Sequence, residues 1–399
     1  MAATGHVGKR LVELRLWRGM QARVVADLAG ISPGYLSMLE AGERALNKRS
    51  TLEAIANALR VAPSELGALP TDTVLNPEVA EALGTLPDLE AALTDVEPRE
   101  ATVTPRPLDA VVAELDYADA ELRPRSKIVE QMQIAPRLVR EANSLYDAEP
   151  GRRGEVLEAI GRTYKLANVS SLALGARSVA SLAASAMRDV TAELGPEWAG
   201  AVAFARNSAL SAGGRERVLA RATKTLDGLD KSEDRQRQVA GMLHLQSGLA
   251  AATLADGEGA REHVGEARNL ARPGDEFGAL AIGFGPDNVD FWAMAVEIEL
   301  GEPGRAMSIA DRAIPERHPS WSRQSAFHLD RARAQSSEKK YRKPAVWSLV
   351  RAEMLHPVST RTSVWARSVT GDLLRTVKRD SPEGRELRGL GYRMGIAPS

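Results

Sequence analysis

Apolar residues in the first seventy positions recur every three or four residues, in five short segments separated by polar residues. This spacing predicts five short helices that share one core. The residues predicted to face that core are Val7, Leu11 and Leu14, then Val24, Val25 and Leu28, then Leu36 and Leu39, then Leu52, Ile55, Ala56 and Leu59, with the segment 61–66 starting the fifth helix.

Residues with special backbone preferences stand between these segments. Gly30 suits the left-handed residue that ends a helix, Ser32 can cap the next helix, and Pro33 suits its first turn. Ser50 and Glu53 have the spacing of a capping box, which predicts that the fourth helix starts there. A tight turn between the second and third of five helices is the layout that places a recognition helix in the DNA major groove. A helical domain without that role can share this layout.

Beyond residue 106 a second pattern appears, in which the residues at positions i, i+4 and i+7 are small or apolar, with Arg215 as one exception. The six triplets are Ala135-Val139-Ala142, Ala176-Ala180-Ala183, Arg215-Leu219-Ala222, Ala260-Val264-Ala267, Ala306-Ala310-Ala313 and Ala345-Leu349-Ala352. They recur at intervals of 39 to 46 residues and always end in alanine. Such a period predicts one helix pair per unit, with the small residue allowing close helix contact.

Charge is uneven along the chain although the net charge is only −1. Residues 1–67 contain nine Lys and Arg against six acids, whereas residues 72–123 contain thirteen acids against three Arg. We interpret residues 70–106 as an acidic, partly helical linker. Two interpretations of the acidic run remain open: a solvated connector, or a polyanion that competes with DNA for the basic N-terminal domain.

Composition narrows the class of protein further. Aromatic residues are only 4% of the chain and cysteine is absent, so disulfides are excluded and a reducing cytoplasm is expected. The N-terminus lacks a signal-peptide pattern. The most apolar stretch, residues 170–187, contains Arg177 and is rich in alanine, so we predict a packed helix there and no membrane partner.

The motifs of common enzymes are missing from the sequence. The six histidines do not have the spacing of a zinc site, and neither a phosphate-binding glycine loop nor a nucleophile elbow occurs. We therefore expect neither enzymatic activity nor a cofactor or metal ion.

Residues 25–32, VADLAGIS, and residues 35–42, YLSMLEAG, resemble the Cro/C1 (XRE) helix-turn-helix family. The resemblance covers about residues 7–67 and implies an ion pair between Arg15 and Glu40 that joins the first helix to the recognition helix. It also implies the residues that contact DNA: Pro33, Gly34, Ser37 and Met38 at the base edges, Arg44, Asn47, Lys48 and Arg49 on the phosphates, and Gln21, Ser32 and Tyr35 elsewhere in the interface.

Two positions depart from the pattern of that family. Ala22 stands where the family usually has a phosphate-binding glutamine, and Gln21 is one position earlier. The recognition helix also has no Arg, Lys, Asn or Gln, the side chains that read bases in pairs of hydrogen bonds. We therefore expect affinity to come mostly from phosphates, and part of the specificity from DNA shape.

The whole chain resembles a family of bacterial regulators that join an XRE domain to tetratricopeptide-like repeats. Residues 283–289, GFGPDNV, and 327–333, FHLDRAR, look like recurrent signatures of that family. The resemblance implies dimerisation through the repeats and a signalling peptide bound on their concave face. Asn288, His328 and Arg331 are the candidate effector-binding residues. For the residues alone, a tight corner at Asn288 and an interior histidine at 328 remain the simpler interpretations.

Together these patterns predict an all-α protein: a five-helix Cro/C1-type domain at 1–69, the linker at 70–106, and an α-solenoid of tetratricopeptide-like helix pairs at 107–399. The predicted function is a sequence-specific transcriptional regulator whose repeats dimerise and sense a peptide or small-molecule effector. Its partners would be double-stranded DNA, a second copy of itself and that effector. The alternative is a protein-interaction scaffold whose helix-turn-helix has become a structural or docking module.

Overall fold

The computed structural model describes residues 7–44, 46–61, 63–66, 77–95, 97–210 and 214–396. All regular secondary structure within these ranges is helical, which confirms the all-α prediction. None of the helices described is long and apolar enough to cross a membrane.

The helices follow one another along the chain with short connections. Their bounds are α1 Val7–Trp17, α2 Ala22–Leu28, α3 Pro33–Ala41, α4 Arg49–Leu59, α5 Pro63–Leu66, α6 Pro77–Gly84, α7 Leu86–Thr94, α8 Leu108–Tyr117, α9 Ile128–Ala148, α10 Arg153–Ala173, α11 Arg177–Thr191, α12 Pro196–Ala209, α13 Arg215–Leu226, α14 Asp234–Thr253, α15 Gly257–Leu270, α16 Pro286–Leu300, α17 Pro303–Ala310, α18 Trp321–Ser336, α19 Arg342–Leu355, α20 Pro357–Thr362, α21 Val364–Thr376 and α22 Pro382–Arg393.

Helices α1 to α5, hereafter the head, enclose one apolar core. Leu11, Leu36 and Ile55 are fully buried in it, as their spacing predicts. Val24 and Leu28 were also predicted to be buried, and this is wrong, since they are 44% and 63% exposed. Helix α2 is only seven residues long and turns the stripe with Val25 and Ala26 inward, so its other apolar positions face solvent.

The fourth helix begins two residues earlier than the capping box predicts. Helix α4 starts at Arg49, and neither Lys48 before it nor Ser50 caps it with a side chain. The carboxylate of Glu53 instead pairs with Arg215 of α13. Long-range contacts have therefore replaced the local cap that the sequence predicts.

Part of the predicted linker is packed against the helices that follow. Helices α6 and α7 lie on α9, and Val79 and Leu89 belong to the same apolar cluster as the core of α9 and α10. The backbone after α7 also follows α9, where Asn143 Oδ1 accepts a hydrogen bond from the backbone N–H of Arg99 at 2.8 Å. Residues 77–95 are thus an ordered part of the C-terminal region.

Helices α8 to α22, hereafter the array, form neighbouring pairs along the chain. Helices α10, α12, α14, α16, α18 and α21 contact one another in succession, while α11, α13, α15, α17, α19 and α22 each pack beside one of them. The six triplets lie on every second helix from α9 to α19, although Ala176 is just before the start of α11 and Ala313 is just beyond the end of α17. Their final alanines are fully buried in five of the six cases.

The head packs directly on the end of the array. Val364 and Trp365 at the start of α21 are in contact with the head's core. Gly42, which ends α3 with a left-handed φ of 72°, lies against the guanidinium of Arg375: a Cβ on Gly42 would be 2.8 Å from the Arg375 Cζ. The close approach and the left-handed backbone both require glycine at this position.

Candidate nucleic-acid interface

The turn between α2 and α3 has the geometry of a helix-turn-helix. Gly30 adopts a left-handed φ of 63° after the end of α2. Ser32 caps α3, since its Oγ accepts a hydrogen bond from the backbone N–H of Tyr35 at 3.1 Å, and Pro33 is the first residue of α3. These are the roles predicted from the sequence, and together they fix the direction in which α3 leaves the turn.

One face of α3 is open to solvent. Ser32, Pro33, Gly34 and Ser37 are exposed, and Met38 is half-buried beside them. Gln21, just before α2, is exposed as well, whereas Tyr35 is half-buried and burial raises the pKa of its hydroxyl. The residues assigned to base reading thus form an accessible surface, of mostly short and uncharged side chains.

Arg15 and Glu40 join α1 to α3. The Arg15 Nε donates to Glu40 Oε1 at 2.6 Å, and its Nη2 donates to Oε2 at 3.0 Å. The Arg15 Nη1 also donates to the Met20 carbonyl at 3.1 Å. Both side chains are almost buried, at 14% and 12% exposure, so this two-point ion pair holds the recognition helix at a fixed angle to α1.

The residues assigned to phosphate binding fall into two groups. Arg44 is exposed, whereas Asn47, Lys48 and Arg49 lie against the array. The carbonyl of Asn47 accepts a hydrogen bond from Arg333 Nε at 3.0 Å, and the Lys48 ammonium lies close to Gly301. Three of the four predicted phosphate-binding residues therefore lie against the protein itself in this conformation.

Arg49 contacts the array through both its backbone and its side chain. Its backbone N–H, the first of α4, donates to Glu299 Oε2 at 2.7 Å, and its guanidinium Nη1 is 3.4 Å from Glu299 Oε1. Asp330 lies 4.0 Å from its Nη2. Burial lowers the pKa of Arg49, and the neighbouring Arg333 lowers it further.

Arg333 holds the two carboxylates in place from the array side. Its side chain is fully buried, and it donates to Glu299 Oε1 at 2.7 Å and to Asp330 Oδ1 at 2.6 Å. Burial alone would lower the pKa of Arg333, but Asp330 and Glu299 outweigh that effect and raise it. The network thus contains two cations, Arg49 and Arg333, and two anions, Glu299 and Asp330. It is closed to water on the array side.

This arrangement is chemically an anion site filled by a carboxylate. A helix N-terminus with a free backbone N–H and an arginine beside it can hold a phosphate oxygen. In this structure Glu299 occupies that position at the start of α4. A DNA phosphate and Glu299 would need the same two donors of Arg49, so they exclude each other there.

The candidate effector residues are not brought together in one open site. Asn288 is fully buried, and its Nδ2 donates to the Gly283 carbonyl at 2.8 Å, which favours the corner interpretation. His328 and Arg331 line a shallow groove of about 500 Å³ beside Trp347. Arg331 is paired with Asp311, and burial lowers the pKa of His328 to about 4.

The sequence did not indicate the residues that hold the head. Glu299 and Arg333 are 250 and 286 residues away from their partners in the head. The one local signal is that Glu297 and Glu299 interrupt an apolar run in α16, which is typical of buried, paired carboxylates. The acids that contact Arg49 of the head thus lie on α16 and α18, not in the described part of the predicted linker.

A family model described as a helix-turn-helix domain matches residues 6–69. The search of the curated proteins and the search of the solved structures each return no match. The head is therefore a helix-turn-helix domain of the DNA-binding type.

Proposed function

We propose that this chain is a sequence-specific transcriptional regulator of the XRE type, which reads DNA with α3. The observation that carries the proposal is the exposed face of α3, presented by a helix-turn-helix whose angle is fixed by Arg15 and Glu40. DNA binding through this face would rely on phosphate contacts from Arg44, Lys48 and Arg49.

The array would be a tetratricopeptide-like solenoid that dimerises and senses an effector in the cytoplasm. Its succession of paired helices and the period near forty residues support this interpretation. Two heads on one dimeric array would read half-sites about one or two helical turns apart, in multiples of roughly 10 base pairs. Sedimentation of the protein at micromolar concentration, alone and on DNA, tests the dimer.

The docked head would be the form of the protein that does not hold DNA tightly. The Arg49 donors cannot bind Glu299 and a phosphate at the same time, so DNA binding by this loop requires the head to leave the array. A ligand of the array would regulate DNA binding only if it binds the docked and released forms with unequal affinity.

A direct test measures DNA binding of the full chain by gel shift, on fragments of its own upstream region, at two salt concentrations. Ser37→Glu places a negative charge on the exposed face of α3, and we expect it to weaken binding at least about tenfold through repulsion from phosphate. Ser181→Glu, the same change at an exposed position of α11, is the matched control and should bind like the wild type.

The second candidate function is a protein-interaction scaffold in which the head is a permanent structural module. It is favoured by the half-buried position of Asn47, Lys48 and Arg49 against the array. A scaffold would show no salt-dependent DNA binding, and Ser37→Glu would have no more effect than Ser181→Glu. Those two results together would overturn the regulator proposal.

A further inference from the structure

A large, half-open cavity lies within the array. Its volume is about 990 Å³, and its wall includes residues from α9, α10 and α12 on one side and from α16, α18 and α20 on the other. The two sides are joined at one edge, where the backbone N–H of Trp321 donates to the Pro124 carbonyl at 2.6 Å. This volume is at the upper end of sites for drug-sized ligands.

The wall of the cavity carries a cation without an anionic partner among the described residues. Arg323 on α18 makes neither an ion pair nor a side-chain hydrogen bond there, and its guanidinium carbon lies 5.7 Å from the ring centre of Trp292. Burial lowers the pKa of Arg323 to about 10, and the nearby cation Arg123 acts in the same direction. Arg323 therefore remains charged at neutral pH, at a cost to the free protein.

The acids in the same wall do not neutralise Arg323. Asp119 pairs with Arg123 at 2.5 Å and with Arg162 at 3.0 Å, and Asp116 pairs with Arg162 at 2.8 Å. The third acid, Glu276, packs against Gly285 at the corner before α16. The guanidiniums of Arg323 and Arg123 thus repel each other. The carboxylates of Asp116 and Asp119 are paired with cations other than Arg323.

Two further polar groups in the wall are buried without a partner. His356 is 5% exposed and its Nδ1 has no hydrogen bond, and Ser126 is 8% exposed and its Oγ has none. Burial lowers the pKa of His356 to about 4, so its ring is neutral at pH 7. Buried polar atoms in a folded protein are nearly always hydrogen-bonded, so these two atoms are unsatisfied groups within the wall, although neither is exposed to the cavity itself.

We propose that this cavity binds an organic anion, with its carboxylate, phosphate or sulfonate on Arg323 and a flat apolar body against Trp292. His356 and Ser126 would add polar contacts only after a small shift of the wall, since neither unpartnered atom is exposed. The site deepens the sensing role proposed above and differs from the groove of His328 and Arg331. Its test is a direct binding measurement that does not require DNA, so this proposal and the DNA-binding proposal can fail separately.

The test uses two fluorescent probes on the full chain. 1-Anilinonaphthalene-8-sulfonate is an aromatic anion, and N-phenyl-1-naphthylamine is the same molecule without the sulfonate. The wild type should bind the anion at least about tenfold more tightly than the neutral probe, because a charge-assisted contact contributes roughly that much. Arg323→Met keeps the apolar stem and removes the charge, and it should abolish the preference without weakening the neutral probe.

Two further variants separate the cavity from other surfaces. Arg323→Lys should keep part of the preference, and Arg331→Met, in the other groove, should keep all of it. The melting temperature of the free protein should be unchanged or higher in Arg323→Met, because a half-buried cation without an anionic partner is removed. Equal affinity of the wild type for both probes, an unchanged preference in Arg323→Met, or its loss in Arg331→Met would overturn the proposal.

Discussion

The Glu299 carboxylate accepts a hydrogen bond of 2.7 Å from the backbone N–H of Arg49, the residue at which α4 begins. The same carboxylate lies 3.4 Å from the Arg49 guanidinium. An acid of the array thus satisfies the two donors that a helix-turn-helix domain would direct at a DNA phosphate.

Glu299→Gln should strengthen DNA binding by the full chain, by roughly tenfold. The substitution keeps the shape of the side chain but removes the charge that holds Arg49, and a hydrogen bond to a charged group contributes about 1.5–3 kcal/mol. Fluorescence anisotropy with a labelled DNA fragment measures the change. The measurement is made well below the melting temperature, because the substitution also removes one of the two anions that pair with Arg333. Glu302→Gln is the control, an exposed acid three residues away. If the two variants bind DNA with equal affinity, the contact between Glu299 and Arg49 does not limit DNA binding.

Arg15→Ala should lower the free energy of unfolding by about 3 kcal/mol, because it leaves Glu40 almost buried without its partner. Urea denaturation of the full chain measures this loss. Arg10→Ala breaks the exposed pair with Glu13 on the same helix and should cost less than about 1 kcal/mol. A loss of similar size in both variants would mean that the Arg15–Glu40 pair adds nothing beyond a surface contact.

Gly241→Ala should destabilise the array by about 2 kcal/mol or more. A Cβ at this position in α14 would be 2.0 Å from the ring of Phe284, which is fully buried, so the ring or the helix would have to move. Gly265→Ala is the matched change in α15, where no atom lies within 4 Å, and it should stabilise by roughly 0.5–1 kcal/mol. Thermal or urea unfolding gives both values, and the two variants should move in opposite directions.

Stability should fall as the pH is lowered from about 6.5 towards 4. Burial lowers the pKa of His318 and of His356 to about 4, so between these pH values the unfolded chain takes up protons that the folded chain does not. Each histidine contributes up to about 1.4 kcal/mol per pH unit in this window. Urea denaturation at pH 7.5, 6.5 and 5.5 tests the trend. His356→Phe should show a smaller pH dependence than the wild type, and an identical one would exclude His356 as a source.

The features that were predicted correctly from the sequence depend mostly on short-range interactions, whereas the features that were missed depend on long-range contacts. The cap at Ser32, the left-handed Gly30 and the buried alanines of the triplets depend on neighbours within a few residues, and all appear in the structure. The start of α4 was misplaced because its anion comes from Glu299, in a helix 250 residues later.

The same limit applies to the candidate sites. The docked position of Asn47, Lys48 and Arg49 depends on contacts with α16 and α18 that no local pattern encodes. Arg323 gave no signal either, because an arginine without a partner is recognised only when its surroundings are known.

The distance along the chain between the head and its array contacts also sets an order of events during synthesis. The hydrogen bonds that join Leu46, Asn47 and Arg49 of the head to the array link residues separated by 250 to 322 positions. A ribosome adds about 5–20 residues per second, so the head is complete for roughly 15–60 s before these partners have been made. During that interval a newly made head has its Arg49 donors free, and each molecule passes through an undocked form before it reaches the docked one.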